Sequence, residues 1–220
     1  MGEPERSIET KHLPELKRNY PVFRLMGSNL VSFFGDQIYL IAIPLIVLAI
    51  TGSPLSMGIV AALERLPVLF QPIAGVLADR LNRRGVLLAC DIARAILVGV
   101  LGILYLQDSL MIWELYIGAF IIGLITQLYN TSQFATIPQL VRKENLQIIN
   151  SINSGFLNTA VFIAPGVGGL LISFYNPGYA LMINSFSFLV AFLAIITISI
   201  DEPSKKEYNH SFLYEIREGF

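Results

Sequence analysis

Long apolar stretches separated by short polar ones run the length of the chain, and six of them reach the ~20 residues that a membrane-spanning helix requires. They cover residues 23–50, 56–78, 85–106, 112–135, 146–174 and 179–200. The pattern predicts an all-α membrane protein, a six-helix bundle over 23–200 with a polar tail at 1–22 and a polar segment at 201–220. The first and fifth stretches exceed the minimum and contain Pro44 and Pro165, so tilt or kinks are expected there.

The connections fall into two sets. Thr51-Gly-Ser-Pro-Leu55, Gln107-Asp-Ser-Leu110 and Tyr175-Asn-Pro-Gly178 carry no lysine or arginine. The alternate connections and tails hold Arg6, Lys11, Lys17, Arg18, Arg24, then Arg80, Arg83, Arg84, then Arg142, Lys143, then Lys205, Lys206, Arg217. Basic residues concentrate on the cytoplasmic side of membrane proteins. The expected topology is therefore a multi-pass protein of the cell membrane with both termini cytoplasmic. The tail at 1–22 has no apolar core, which excludes a secretory signal peptide.

Composition agrees with the bilayer as main solvent: 54% of the 220 residues are apolar, 14% are charged, and mean hydropathy is +0.63. The lone Cys90, inside an apolar run, excludes an intrachain disulfide and reads as a buried thiol. His12 and His210 stand in polar tails without a ligand pattern, so no metal and no cofactor is expected. No nucleic-acid signature is present. In 201–220, Phe212, Ile216 and Phe220 recur every four residues, as on a helix lying at the membrane surface, although a solvated linker reads equally well. The chain stops without a polar terminus, which suggests a truncated linker with more protein after Phe220.

Ionisable residues within spans are costly and therefore functional candidates. Asp36, Glu64, Arg65, Asp91 and Arg94 qualify. At ~1.5 Å per residue, Asp36 lies ~18 Å into the first helix and Glu64 ~12 Å into the second, both in the middle third. A carboxyl group at that depth suits proton uptake and release, so Asp36 is the first coupling candidate and Glu64 the second. The plainer reading pins each one by hydrogen bonds or a neighbouring arginine. Asp91 and Arg94, three apart on one helix face, read as an intramembrane ion pair. Glu64 and Arg65 project ~100° apart, so at least one must find its partner across the bundle.

The fourth span carries Gln127, Tyr129, Asn130, Thr131, Ser132 and Gln133, and the first carries Asn29, Ser32 and Gln37. Such polarity suits either a hydrated cavity wall, with Asn29, Gln37, Gln127, Asn130 and Gln133 lining it, or hydrogen bonds between helices. Gly155 and Pro165-Gly-Val-Gly-Gly169 predict close helix packing or a flexing point. Asp36 to Pro44 and Asn130 to Pro138 share a spacing of eight, an echo compatible with two inverted three-helix repeats.

Between the second and third spans runs Gly75-Val-Leu-Ala-Asp79-Arg80-Leu-Asn82-Arg83-Arg84. Gly75 is expected to let a neighbouring helix approach, and Asn82 to accept the left-handed conformation of a tight turn. Asp79, at the negative end of its helix, calls for a cationic or helix-N-terminal partner and is a candidate latch. The segment resembles the G-x-x-x-D-R-x-G-R-R loop of the major facilitator superfamily, with Asn82 in place of a glycine. Gly35-Asp36, Ile43-Pro44-Leu45, Gly52-Ser53-Pro54-Leu55, Ile137-Pro138-Gln139-Leu140-Val141 and Pro165-Gly166 resemble its bacterial enterobactin and macrolide exporters.

The resemblance implies the N-terminal six-helix half of such a transporter, built from 3+3 inverted repeats. It further implies that Asp79 holds one conformational state by meeting a helix of the other half, that Arg80, Arg83 and Arg84 shape a cytoplasmic gate, and that the first and fourth helices line the pathway. The implied function is export of a small amphipathic organic molecule by alternating access, with proton coupling. The expected partners are the lipid bilayer, the substrate, and a missing C-terminal half or a second copy. The alternative is a non-transporting remnant or a membrane interaction subunit. No paired nucleophile and base appears, so an enzyme is not expected.

Overall fold

The structure, a computed structural model, describes residues 18–198 apart from the side chain of Asp79. The polar segments at 1–17 and 201–220, with His12, His210 and the Phe212 to Phe220 stripe, lie outside the described residues. Among those described there are six helical spans and no strand.

Each span begins where its sequence provides a start signal. Helix α1, Tyr20–Thr51, is capped by Asn19, whose side chain accepts from the Val22 amide at 3.3 Å, and has proline in its first turn. It ends at Gly52, whose φ of 63° lies in the left-handed region and whose amide donates to the Leu48 carbonyl at 2.8 Å. Ser53 then caps the second span, which opens on Pro54. Helices α4, Arg83–Leu106, and α7, Pro177–Ile196, are capped by Asn82 and Asn176, each accepting an amide hydrogen from a glycine. Helix α5, Ile112–Leu140, opens with Glu114 reaching back to the Met111 amide at 2.9 Å. Helix α6 covers Leu146–Phe174.

The second span is the exception to continuity. It consists of α2, Pro54–Arg65, a 3-10 turn over Leu66–Phe70, and α3, Gln71–Arg80. Pro67 and Pro72 each remove an amide hydrogen, freeing two carbonyls five residues apart, and the chain tightens between them. In contrast, α1 and α6 remain single helices through Pro44 and Pro165. The fourth span runs to Leu140, past the expected 135, because the helix accommodates Pro138, and the sixth ends at Ile196.

The bundle folds as two triplets. Helix α1 packs on α6 and α7, α5 packs on α2, α3 and α4, and α4 packs on α7. Exchanging spans one to three for four to six reproduces that list, as an inverted repeat requires. The sequence keeps register with it: Asp36 and Asn130, Pro44 and Pro138, and the caps Asn82 and Asn176 are all 94 residues apart. Two apolar clusters make the core. One contains Ile38, Ala42, Ile46, Val98, Leu115 and Leu181, the other Val22, Leu25, Leu87, Cys90, Tyr129 and Ile195. A polar layer separates them.

One expectation changes. Asn82 adopts an extended conformation, φ −62° and ψ 109°, because Leu81 and Asn82 form the two-residue turn by extension and the asparagine side chain serves as a cap. A Cβ on Gly75 would meet only the Thr131 methyl at 4.0 Å among the described residues. Of the fifth-span glycines, Gly168 packs on Ile38, whereas a Cβ on Gly155, Gly166 or Gly169 would find open space among the described residues. The tight crossings use Gly35, Gly99, Gly102, Gly118, Gly123 and Gly178.

Candidate functional site

The polar layer is built by residues from several helices. Arg94, on α4, is the largest fully buried side chain. Its Nη2 donates to Asp91 Oδ1 at 2.6 Å, one turn back on the same helix, and its Nη1 lies 3.7 Å from Asp36 Oδ2 on α1. The guanidinium plane is flanked by the Tyr129 ring of α5 at 4.1 Å and the Phe188 ring of α7 at 4.2 Å. Aromatic faces attract a cation most strongly where water is excluded. Four spans therefore converge on one arginine.

The two carboxylates are not equivalent. Asp91 is 0% exposed and Asp36 22% exposed. Asn184 Nδ2 donates to Asp36 Oδ1 at 3.4 Å, and Ser187 Oγ lies within hydrogen-bond distance of Asn184 Oδ1 at 3.2 Å, holding the amide in place. Gly35 makes this contact feasible, since a Cβ there would overlap Asn184 and Ser187. With both acids ionised the trio carries one negative charge in excess. Uptake of a single proton makes it neutral, and Asp36 is the member that outside groups reach.

Glu64 is half-buried on α2, and its backbone carbonyl rests against Gly123 of α5. It is close enough to Arg65, and then to Asp36, for their charges to interact, and it forms no hydrogen bond among the described residues. Arg65 points outward and is exposed. Of the polar residues on the first and fourth spans, Gln37, Gln127 and Asn130 are half-buried, whereas Asn29 and Gln133 are buried within the bundle.

At the basic end, side chains cap the final turns of helices. Arg84 donates to the Ile196 carbonyl at 2.6 Å, Arg24 to the Thr197 carbonyl at 3.4 Å, and Asn19 to the Leu140 carbonyl at 2.5 Å. Cations at helix C-termini also oppose the negative end of the dipole. Arg83 donates to Ala135 O at 2.6 Å, beside the turn that Pro138 loosens. Arg80 is half-buried, and the side chain of Asp79 lies outside the described residues. Gly75 borders a shallow groove with Val68, Leu69, Gln71, Pro72 and Thr131.

The plainer sequence reading gave Asp36 hydrogen bonds or a neighbouring arginine without naming Arg94, and it missed Asn184 and Phe188. The available signal was Asn184 itself, an amide inside a strongly apolar span, with Phe188 one turn further along the same face.

The family model described as Transmembrane secretion effector matches residues 17–220. An uncharacterized MFS-type transporter, YfiS of Bacillus subtilis, is 24% identical over 212 residues, covering 94% of this chain and 50% of that protein. The multidrug efflux pump Tap of Mycolicibacterium fortuitum is 26% identical over 208 residues, covering 90% and 51%. Macrolide efflux protein A of Streptococcus pyogenes is 24% identical over 200 residues, covering 90% and 49%. The chain spans about half the length of the curated relatives it matches.

Proposed function

The chain belongs to the Transmembrane secretion effector family of the major facilitator superfamily, and from that premise we propose that it is the N-terminal half of a proton-coupled exporter of small amphipathic organic molecules. Drugs, macrolides and siderophores are the substrate classes in view. The observation that carries the reading is the Asp36, Arg94 and Asp91 trio, buried where four spans meet, with one acid more than it has bases. Structural ion pairs need no surplus charge, whereas a proton carrier does. Asp36 is the coupling residue and Glu64 its electrostatic neighbour.

Alternating access moves the two halves about this layer, with substrate passing along the first and fourth spans beside Gln37, Gln127 and Asn130. Asp79 is the latch to the second half. Gly75, Arg80, Arg83 and Arg84 form the gate around it, and the hold of Arg83 and Arg84 on neighbouring helices supports that role. The protein resides in the cell membrane with both termini in the cytoplasm.

The test is energy-dependent efflux of a lipophilic cationic dye and of a macrolide from cells expressing the full-length protein. Efflux is expected to respond to external pH in the parent and to lose that response in Asp36→Asn. A pH response that survives in Asp36→Asn removes Asp36 as the coupling site, and no efflux of either compound removes the substrate reading.

A further inference from the structure

Asp36 has a different neighbour at each carboxylate oxygen. Oδ1 accepts from Asn184 Nδ2 of α7 at 3.4 Å, whereas Oδ2 faces Arg94 Nη1 of α4 at 3.7 Å, beyond hydrogen-bond reach. Oδ1 is therefore held, and the lone pairs of Oδ2 are open to a proton. The other titratable groups whose charge acts on Asp36 are Asp91 of α4, Glu64 of α2, Tyr129 of α5 and Tyr39 of α1 itself. Helix α6 contains no ionisable side chain, and α7 only Tyr179, in its first turn. What α7 brings to the acid is an uncharged amide.

An ionised carboxylate only accepts hydrogen bonds, so the amide must present its nitrogen to Asp36 and not its oxygen. Asn184 is 0% exposed, and Ser187, one turn further along α7, fixes that orientation. The Ser187 hydroxyl is shared between the Asn184 backbone carbonyl at 2.7 Å and Asn184 Oδ1 at 3.2 Å, which leaves Nδ2 toward Asp36. The height of α7 is fixed from α4. Ser185 Oγ donates to the Ala95 carbonyl at 2.7 Å, beside Arg94, and a Cβ on Gly99 would stand 2.9 Å from the same oxygen.

We propose that Asn184 is the positioning residue that assigns the proton of Asp36 to Oδ2, the oxygen facing Arg94, so that protonation dissolves the charged link between α1 and α4. This rests on the reading of Asp36 as the coupling site. A proton from water bonds Oδ2, the carboxylate loses its charge, and the Arg94 guanidinium keeps Asp91 as its charged partner. By donating to Oδ1 the amide favours the ionised form. Without that donor the protonated form persists to higher pH.

The experiment titrates the full-length protein in lipid by infrared difference spectroscopy and follows the protonated-carboxyl band that Asp36→Asn removes. Asn184→Leu, which is apolar and cannot donate, is expected to move the midpoint of that band up by about one pH unit. Ser187→Ala, a smaller change that carries the test where the leucine variant does not accumulate, is expected to move it in the same direction by less. Ser185→Ala removes another buried α7 hydrogen bond, one that does not touch Asp36, and is expected to lower thermal stability with the midpoint unchanged.

The proposal is overturned if Asp36→Asn removes no titrating band, or if Asn184→Leu and Ser187→Ala leave the midpoint in place. It is equally overturned if Ser185→Ala moves the midpoint as far as they do, because the effect is then one of α7 packing alone. Efflux enters none of these readouts. A protein that titrates as expected while its efflux ignores pH ends the proton-coupled reading and leaves the placement of the proton by Asn184 standing.

Discussion

Arg94 is the residue on which the most interactions converge, and the cost of changing it follows from what it leaves behind. Arg94→Gln removes one positive charge and strands Asp91 and Asp36 against each other in a buried layer, a defect of about 3–5 kcal/mol. Asp91→Asn together with Arg94→Gln is expected to be milder than Arg94→Gln alone, because the double change removes a charge of each sign. Heat-induced loss of the monodisperse peak in detergent measures both, and a double variant at least as unstable as the sum of the singles contradicts the pairing. Arg94→Lys is expected to recover only part of the loss, since an ammonium lacks the planar fork that meets Asp91 while stacking between Tyr129 and Phe188. Glycines give a second residue-level contrast. A Cβ on Gly123 would stand 2.6 Å from the Glu64 carbonyl oxygen and 2.8 Å from Pro67 Cγ, so Gly123→Ala is expected to cost about 1–3 kcal/mol by pushing α2 off α5. Gly155→Ala meets open space and is expected to be neutral or stabilising by up to about 1 kcal/mol. The same heat assay ranks the two.

Among the elements, the turn between α3 and α4 shows how a local signal is read correctly in kind and wrongly in mechanism. A tight turn at Asn82 was legible because asparagine suits both left-handed turns and helix caps, and only coordinates distinguish the two uses. Since Asn82 is a cap, Asn82→Gly is expected to cost a few tenths of a kcal/mol and Asn82→Ala about 1 kcal/mol, an order that thermal stability checks. If the position needed a left-handed residue, glycine would stabilise it. The spans themselves were legible because each exceeds the length a bilayer demands, and the in-helix pair Asp91 and Arg94 because a separation of three fixes a shared face. The joining of Asp36 to that pair was not, since it depends on how α1, α4 and α7 rotate against one another. The broken second span was missed because kinks were expected only at Pro44 and Pro165, whereas the 3-10 turn lies between Pro67 and Pro72, five residues apart.

The whole bundle has a polarity that its apolar core does not explain. Among the described residues every lysine and arginine outside the spans falls at one end, and there Arg24, Arg84 and Asn19 engage the last carbonyls of α5 and α7. The same side chains close helix ends and carry the charge that the proposed orientation places in the cytoplasm. Cysteine labelling in intact cells tests this against the reverse insertion. In a cysteine-free full-length protein, Ser109→Cys and Tyr175→Cys, in exposed turns at the end without lysine or arginine, are expected to react with an impermeant maleimide added outside. Leu81→Cys and Glu144→Cys, exposed at the basic end, are expected to react only after the membrane is permeabilised. The opposite pattern would place the Arg83 and Arg84 contacts outside the cell and remove the basis for a cytoplasmic gate. Labelling at both ends in one preparation would mean mixed insertion, which the confinement of basic residues outside the spans to one end of the described bundle makes energetically unfavourable.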